Sequence, residues 1–327
     1  MRRAMASVLI VLFLIPAFSP AAEEFSREQD VIYGRKYGTA LTMDVFQPEN
    51  PKGIGLIFVV SGGWFSSHAA ISPAFVKPFL DRGYTVFAVV HGSQPKFTIP
   101  EILTDMHRAT RYIRHHAEEY DIDPDQIGIF GASAGGHLSL MQGVAGTKSD
   151  PNPKDAVDRE SSRVQAVACF FPPTDFLNYG VEGRVALGKG VLKNFYAPFD
   201  FQKRVPGESG VFGTTFEPVT DKEKRREIGR EISPIYHVSE DDPPTLIVHG
   251  DADKLVPIQQ AKLMVAALKK ADIESKLVVR KGAGHGWASI GQDLELLADW
   301  FDTHLKTTDT RTDAKESVTD RSAASQP

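Results

Sequence analysis

Ser133 is the residue in this chain best placed to do chemistry. It sits in Gly131-Ala132-Ser133-Ala134-Gly135, after the apolar run Ile127-Gly128-Ile129-Phe130 and before an amphipathic segment opened by Gly136-His137-Leu138. A serine on a tight strand-to-helix turn has its hydroxyl pushed into the open, and flanking glycines are needed where a Cβ would meet neighbouring backbone. The first amides of the following helix point at whatever the serine attacks and favour negative charge there. A serine hydroxyl is a weak nucleophile near neutral pH. It needs an imidazole base, and the imidazole needs a carboxylate to fix its tautomer.

The chain supplies both, in the order serine, acid, histidine. Thr245-Leu246-Ile247-Val248-His249-Gly250-Asp251-Ala252-Asp253 reads as a strand running into an acidic turn. Val278-Val279-Arg280-Lys281-Gly282-Ala283-Gly284-His285-Gly286-Trp287 reads as a strand running into a glycine-rich turn with one histidine. Loop depth favours Asp253 as the acid. Asp251, directly after the strand, is suited to tying the turn to backbone amides. Asp175, in Pro173-Thr174-Asp175-Phe176, is a third candidate whose simpler role is a turn cap. Backbone donors for an oxyanion are expected from Ala134 and from the turn Gly62-Gly63-Trp64. His137 reads as packing and His249 as a core histidine. His91, Trp64 and Trp287 fall at strand ends, where pocket lining and aromatic packing are equally open. His115 and His116, with Glu118 and Glu119, match no zinc spacing and read as a solvated helix end.

The elements that must position these residues alternate regularly. Val31 to Tyr37 and Leu41 to Phe46 form an opening hairpin pattern. Apolar runs at 54–60, 84–90, 126–130 and 164–171 read as strands covered on both faces. Helical spacing is expected over Pro73 to Arg82, Ile99 to Tyr120, Pro257 to Ala271 and Leu294 to Leu305. Asp121 to Pro124 reads as a turn. Strands alternating with helices imply a mostly parallel sheet with helices on both faces, and sites in such sheets lie at the carboxyl ends of the strands. Residues 177–230 break the rhythm and read as a cap-like insertion; Asp221 to Glu227 within them has the look of a solvated helix face.

The chain has 327 residues, 42% hydrophobic and 24% charged, which suits one large α/β domain. A formal charge of -5 gives no reason to expect nucleic acid as a partner. Arg2 and Arg3 precede a short apolar run from Val8 to Phe18, and Ser19-Pro20-Ala21 offers small residues for a signal peptidase. We therefore expect a cleaved leader over 1–21 and a secreted or periplasmic location, without a membrane span afterwards. The folded α/β domain is expected over 22–306, with a polar, disordered tail over 307–327. The single cysteine, Cys169, allows no intrachain disulfide and reads as a buried structural thiol. Nothing in the pattern calls for a metal or another cofactor.

Taken together, Ser61-Gly62-Gly63-Trp64, the Gly131 to Leu138 turn, His249-Gly250-Asp251-Ala252-Asp253-Lys254-Leu255-Val256-Pro257 and Gly282 to Trp287 resemble the α/β-hydrolase superfamily. More narrowly, they resemble the esterase branch related to the prolyl oligopeptidase catalytic domain and to bacterial acetylxylan and feruloyl esterases. The resemblance runs from about Val31 to Leu305. It implies Ser133 as nucleophile, Asp253 as acid and His285 as base, with an oxyanion hole at Gly63, Trp64 and Ala134. One position departs: the family's oxyanion motif opens with histidine, and Ser61 stands there. The resemblance implies a carboxylic ester hydrolase acting through an acyl-enzyme, with small-molecule or polysaccharide esters as substrates. A serine peptidase with the same triad, or an inactive hydrolase fold kept as a binding protein, are the alternatives. The chain is too short to carry the propeller of true prolyl oligopeptidases.

Overall fold

The computed structural model describes residues 25–149, 153, 155–206 and 214–306. The expected leader and the expected tail lie outside the described residues.

Eight strands form one sheet. In chain order they are β1 (Phe25–Lys36), β2 (Thr39–Pro48), β3 (Gly53–Val59), β4 (Thr85–Val90), β5 (Ile122–Ala132), β6 (Ala166–Phe170), β9 (Thr245–Gly250) and β10 (Ser275–Arg280), and their spatial order is β1-β2-β4-β3-β5-β6-β9-β10. The first two pair antiparallel, β2 meets β4 antiparallel, and the rest are parallel. The hairpin caps one edge of the parallel part. A separate two-stranded hairpin, β7 (Gln202–Pro206) with β8 (Thr214–Pro218), lies within the expected insertion.

Why the central runs are apolar on every residue is plain from β3. Ile57 and Val59 join the core on one face, and Leu56 and Phe58 join the core on the other. The first face is covered by α2 (Ile99–His115) and α5 (Gln259–Lys270), through Ile102, Met106, Ala109, Met264 and Leu268. The second is covered by α1 (Pro73–Leu80) and α6 (Leu294–His304), through Val76, Phe79, Leu297 and Phe301. α3 (Ala134–Ala145) follows β5 after Ser133 alone; it is buried almost throughout, so the segment expected to be amphipathic has no solvent face, and its polar residues His137, Ser139 and Gln142 are buried. Cys169 is fully buried on β6, and burial pushes its thiol pKa up.

The expected elements differ from the observed ones mainly at their ends. The helix from Ile99 stops at His115, short of Tyr120, because residues 116–121 close in tight turns that return the chain to Ile122. β5 starts at Ile122, inside the segment expected as a turn, because that residue already pairs with Gly53. Residues 177–230 hold the small hairpin, short 3-10 turns and most of α4 (Lys222–Glu231), whose surface is largely exposed.

Candidate active site

Because the central strands run parallel, β3, β5, β9 and β10 all end at one edge of the sheet, and the loops that follow them meet there. Ser133 follows β5 at φ 54, ψ -117, outside the regions ordinary residues occupy. Its N–H donates to Phe170 O at 3.0 Å, and its own carbonyl accepts from His137 N at 2.9 Å. The glycines around it are required by distance. A Cβ on Gly131 would lie 2.6 Å from the Gly135 carbonyl carbon, and one on Gly135 would lie 2.7 Å from Val59 O.

The acid and histidine loops are tied together before either reaches Ser133. Asp251 N donates to Arg280 O at 3.1 Å, Ala252 N donates to Ala283 O at 2.9 Å, and Gly282 N donates to Asp251 Oδ1 at 2.6 Å. Asp251 therefore does the turn-tying job considered for it. Gly250 permits the close approach, since a Cβ there would sit 2.3 Å from Ala283 O. Asp175 caps its own turn, accepting from Leu177 N and Asn178 N.

Asp253 Oδ2 lies 2.7 Å from His285 Nδ1, and His285 Nε2 lies 2.9 Å from Ser133 Oγ. The carboxylate's other oxygen accepts from Leu255 N and Val256 N, each at 2.9 Å. Burial works against ionising Asp253, yet the imidazoles of His249 and His285 and the Val256 amide outweigh it and hold the carboxyl well below the usual carboxylate range. His249 acts from a distance, since its Nε2 is 3.6 Å from Asp253 Oδ2 and donates instead to Val256 O at 2.8 Å. With Asp253 ionised and accepting only, Nδ1 of His285 must carry the proton. A neutral ring then turns the lone pair of Nε2 toward the Ser133 hydroxyl. Phe171 packs on this imidazole with ring centroids 4.5 Å apart.

Gly62, Gly63 and Trp64 follow β3. Gly62 and Phe65 exchange backbone hydrogen bonds, and Gly63 and Trp64 both hold left-handed φ, 56° and 61°. The N–H groups of these two residues donate to no acceptor among the described residues. Ala134, at the first position of α3, has an N–H without an intrahelical acceptor. The Trp64 side chain packs: it is buried, and its indole donates to His137 Nδ1 at 3.2 Å. His137 faces Ile232 O at 2.7 Å with its other nitrogen, so it carries its proton on Nε2; burial lowers its pKa to about 4.

Four residues matter here that the pattern of the chain left unassigned or only partly assigned. His91 is buried, with Nδ1 2.8 Å from Gly92 O and Nε2 2.8 Å from Ser61 Oγ. Burial lowers it to about 4, so near neutral pH it donates through Nδ1 and accepts the Ser61 hydroxyl proton through Nε2. Ser61 is thus braced by a histidine from the neighbouring strand end. Gln94 reaches the same loop with Nε2, 3.1 Å from Gly63 O. Phe195, from the 177–230 segment, lies against Gly63, where a Cβ would be 2.5 Å from its ring. His249 is less satisfied than a core histidine should be: its buried Nδ1 has no partner among the described residues. In the sequence, His91 stood out only by its place at a strand end, His249 only as a core histidine and Ser61 only as a departure from the family motif; Gln94 and Phe195 carried no signal. Trp287 donates its indole N–H to Asp293 and packs on Phe170 and Phe171. His115 and His116 face Glu160 and Glu119 at the end of α2.

Two cavities stand out, and only the smaller adjoins the site. One of about 300 Å³ is lined by Phe58, Gly62, Phe75 and Ala132, beside the Ser133 turn. Another of about 810 Å³ lies under the small hairpin, between Tyr37, Phe97, Tyr196 and Phe216, and none of the three converging side chains lines it. Asp30, Asp44 and His68 cluster at the hairpin edge of the sheet, where Asp44 is already taken by Arg27 at 2.6 Å. Among the described residues no helix is long and apolar enough to cross a membrane.

A mostly parallel sheet, a strained serine between strand and helix, and a histidine and a carboxylate delivered by the last two strand ends define an α/β-hydrolase. The BD-FAE family profile matches residues 43–268, and the chain belongs to that family. Among curated relatives, it is 28% identical to the probable carboxylic ester hydrolase LipM of Mycobacterium tuberculosis over 76% of this chain and 53% of LipM. It is 27% identical to esterase LipC of the same organism, over 79% of this chain and 59% of LipC. The chain thus spans about half the length of the curated relatives it matches. Among solved structures it resembles a truncated carbohydrate esterase from gut microbiota, with a TM-score of 0.69 and 26% identity over 87% of this chain and 98% of that one. It shares its fold with a thermophilic esterase of Thermogutta terrifontis, with a TM-score of 0.62 and 23% identity over 86% of this chain and 92% of that one.

Proposed function

We propose that the protein is a secreted serine hydrolase that cleaves carboxylic esters through an acyl-enzyme. The observation that carries this reading is the continuous chain from Asp253 Oδ2 through His285 to Ser133 Oγ, with steps of 2.7 and 2.9 Å. Ser133 attacks the ester carbonyl while His285 takes its proton and returns it to the leaving alcohol. Asp253 keeps Nδ1 of His285 protonated and stabilises the imidazolium that forms. The negative charge on the carbonyl oxygen falls to the N–H groups of Gly63, Trp64 and Ala134. Water then repeats the sequence on the acyl-enzyme.

The family and the named esterases among the relatives support an ester bond over a peptide bond. The resemblance to a carbohydrate esterase, and the leader read from residues 1–21, support acetyl or feruloyl esters on an extracellular polysaccharide as the natural substrate. The cavity beside Ala132 and Gly62 is the recess we assign to the acyl group.

A fluorophosphonate probe tests the chemistry. It should label the folded wild type and not Ser133→Ala; a folded wild type that resists labelling would indicate an inactive binding protein. A panel of p-nitrophenyl esters graded by acyl length, run beside acetylated xylan and an aminoacyl anilide, tests the bond. Turnover of the anilide in preference to all esters would turn the reading to a peptidase.

A further inference from the structure

We infer that Gln94 is a positioning residue that aims the oxyanion-binding amides; this rests on the proposed serine-hydrolase reading. The N–H and C=O of a trans peptide point in opposite directions. Fixing one carbonyl therefore fixes the direction of the N–H in the same plane. Three successive carbonyls of the loop after β3 are held in this way. Gly62 O accepts from Phe65 N at 3.0 Å, which sets the direction of the Gly63 N–H. Gly63 O accepts from the Gln94 side chain at 3.1 Å, which sets the direction of the Trp64 N–H. Trp64 O accepts from Gln94 N at 3.1 Å. The Gly63–Trp64 plane is the one of the three held by a side chain.

That plane is also the one under strain. Trp64 is a bulky residue at φ 61, a conformation that L-residues with a Cβ avoid. Rotating the Gly63–Trp64 peptide by half a turn would return Trp64 to negative φ and reverse the direction of its N–H, taking that donor out of the proposed oxyanion hole. Glycine at 63 offers no resistance to such a rotation. The Trp64 indole is clamped to His137, so the side chain stays in place while its amide remains free to turn. The Gln94 amide opposes the flip because it leaves Gly63 O nowhere better to point. The rest of the segment is set by the same loop: His91 holds Ser61, and Ser93 Oγ accepts from Ser66 N at 3.0 Å. Gln94 touches neither of the groups that attack or transfer protons, so it acts only through the loop.

Two variants test this. Gln94→Met keeps the length and removes the donor; Gln94→Glu keeps the shape and turns an acceptor toward Gly63 O. Removing one oxyanion donor outright costs about 10²–10³ in kcat, so a misdirected one should cost about 10–100-fold. With p-nitrophenyl acetate, kcat should fall by that factor in both variants while KM stays within about twofold. The affinity for a trifluoromethyl ketone, which forms the tetrahedral adduct, should fall in parallel. The pH of the acidic limb of the rate profile should not move, because His285 is untouched. The proposal is overturned if both variants keep kcat within twofold of wild type. It is equally overturned if the loss lies in KM with ketone affinity unchanged, or if activity falls only in step with unfolding. Should Gln94→Met fail to fold, the near-isosteric Gln94→Glu decides alone. Wild type without activity on any ester would refute the parent reading, an outcome separate from these.

Discussion

Replacing Asp253 by asparagine separates the two jobs that its carboxylate does. Oδ1 accepts two backbone N–H groups, from Leu255 and Val256, and Oδ2 faces His285 Nδ1. An asparagine has one acceptor oxygen and one NH₂ donor, so it can satisfy only one side. With its oxygen toward His285, the NH₂ would face two backbone donors and leave both unpaired in a site where the residue is 7% exposed. At about 1–3 kcal/mol for each buried orphan, that arrangement loses. The asparagine oxygen will therefore turn to Leu255 and Val256, and its NH₂ will face the ring. His285 must then accept through Nδ1 and carry its proton on Nε2, where it cannot take the Ser133 proton. Loss of the tautomer, with geometry otherwise intact, corresponds to about 10⁴ in kcat, or roughly 5 kcal/mol of transition-state stabilisation. The assay is kcat and KM on p-nitrophenyl acetate, beside a thermal melt to show that the variant is folded. A folded Asp253→Asn enzyme within tenfold of wild-type kcat would refute the reasoning, because it would mean that this carboxylate does not set the ring's proton.

Other outcomes follow from the same geometry. Gly131→Ala puts a methyl 2.6 Å from the Gly135 backbone, where no flexible side chain can give way; we expect a loss of about 3 kcal/mol or more, read as a lower urea midpoint. Stability should also depend on pH through His91, His107 and His137, each lowered to about 4 by burial. Since their folded values lie below the ordinary 6.5, their contribution is complete above about pH 6.5 and is lost as pH falls through 4, at most about 3 kcal/mol for each. Asp105, raised to about 6 by burial despite the opposing pull of Lys36 and the Gly92 amide, runs the other way: its contribution is complete below about pH 4 and fades as pH rises through 6. The net effect is a melting temperature that falls between pH 6.5 and 4, by less than the three histidines alone would give; a flat or rising melting temperature across that window would count against it.

What the chain declares locally is substantial. The alternation of apolar strands with helical spacing is a property of neighbouring residues, so the parallel sheet covered on both faces could be read without coordinates. Gly131 likewise announces a turn too tight for a side chain, because the clash that excludes a Cβ there, with Gly135, lies within five residues, whereas the Cβ at Gly135 is excluded by the distant Val59 carbonyl. Other features depend on groups far apart in the chain, and no local pattern encodes them. Ser133 and His285 are 152 positions apart, and only the common edge of the parallel strands brings them to 2.9 Å. Tertiary structure alone separates Asp251, spent on the Gly282 amide, from Asp253, which faces the imidazole. It alone shows His91 bracing Ser61, Gln94 holding Gly63, and Phe195 lying across the same glycine. The physical reason is one of range. Side-chain spacing decides which segments become strands and helices, but a hydrogen bond is specified to a few tenths of an ångström and is settled only when distant segments have packed.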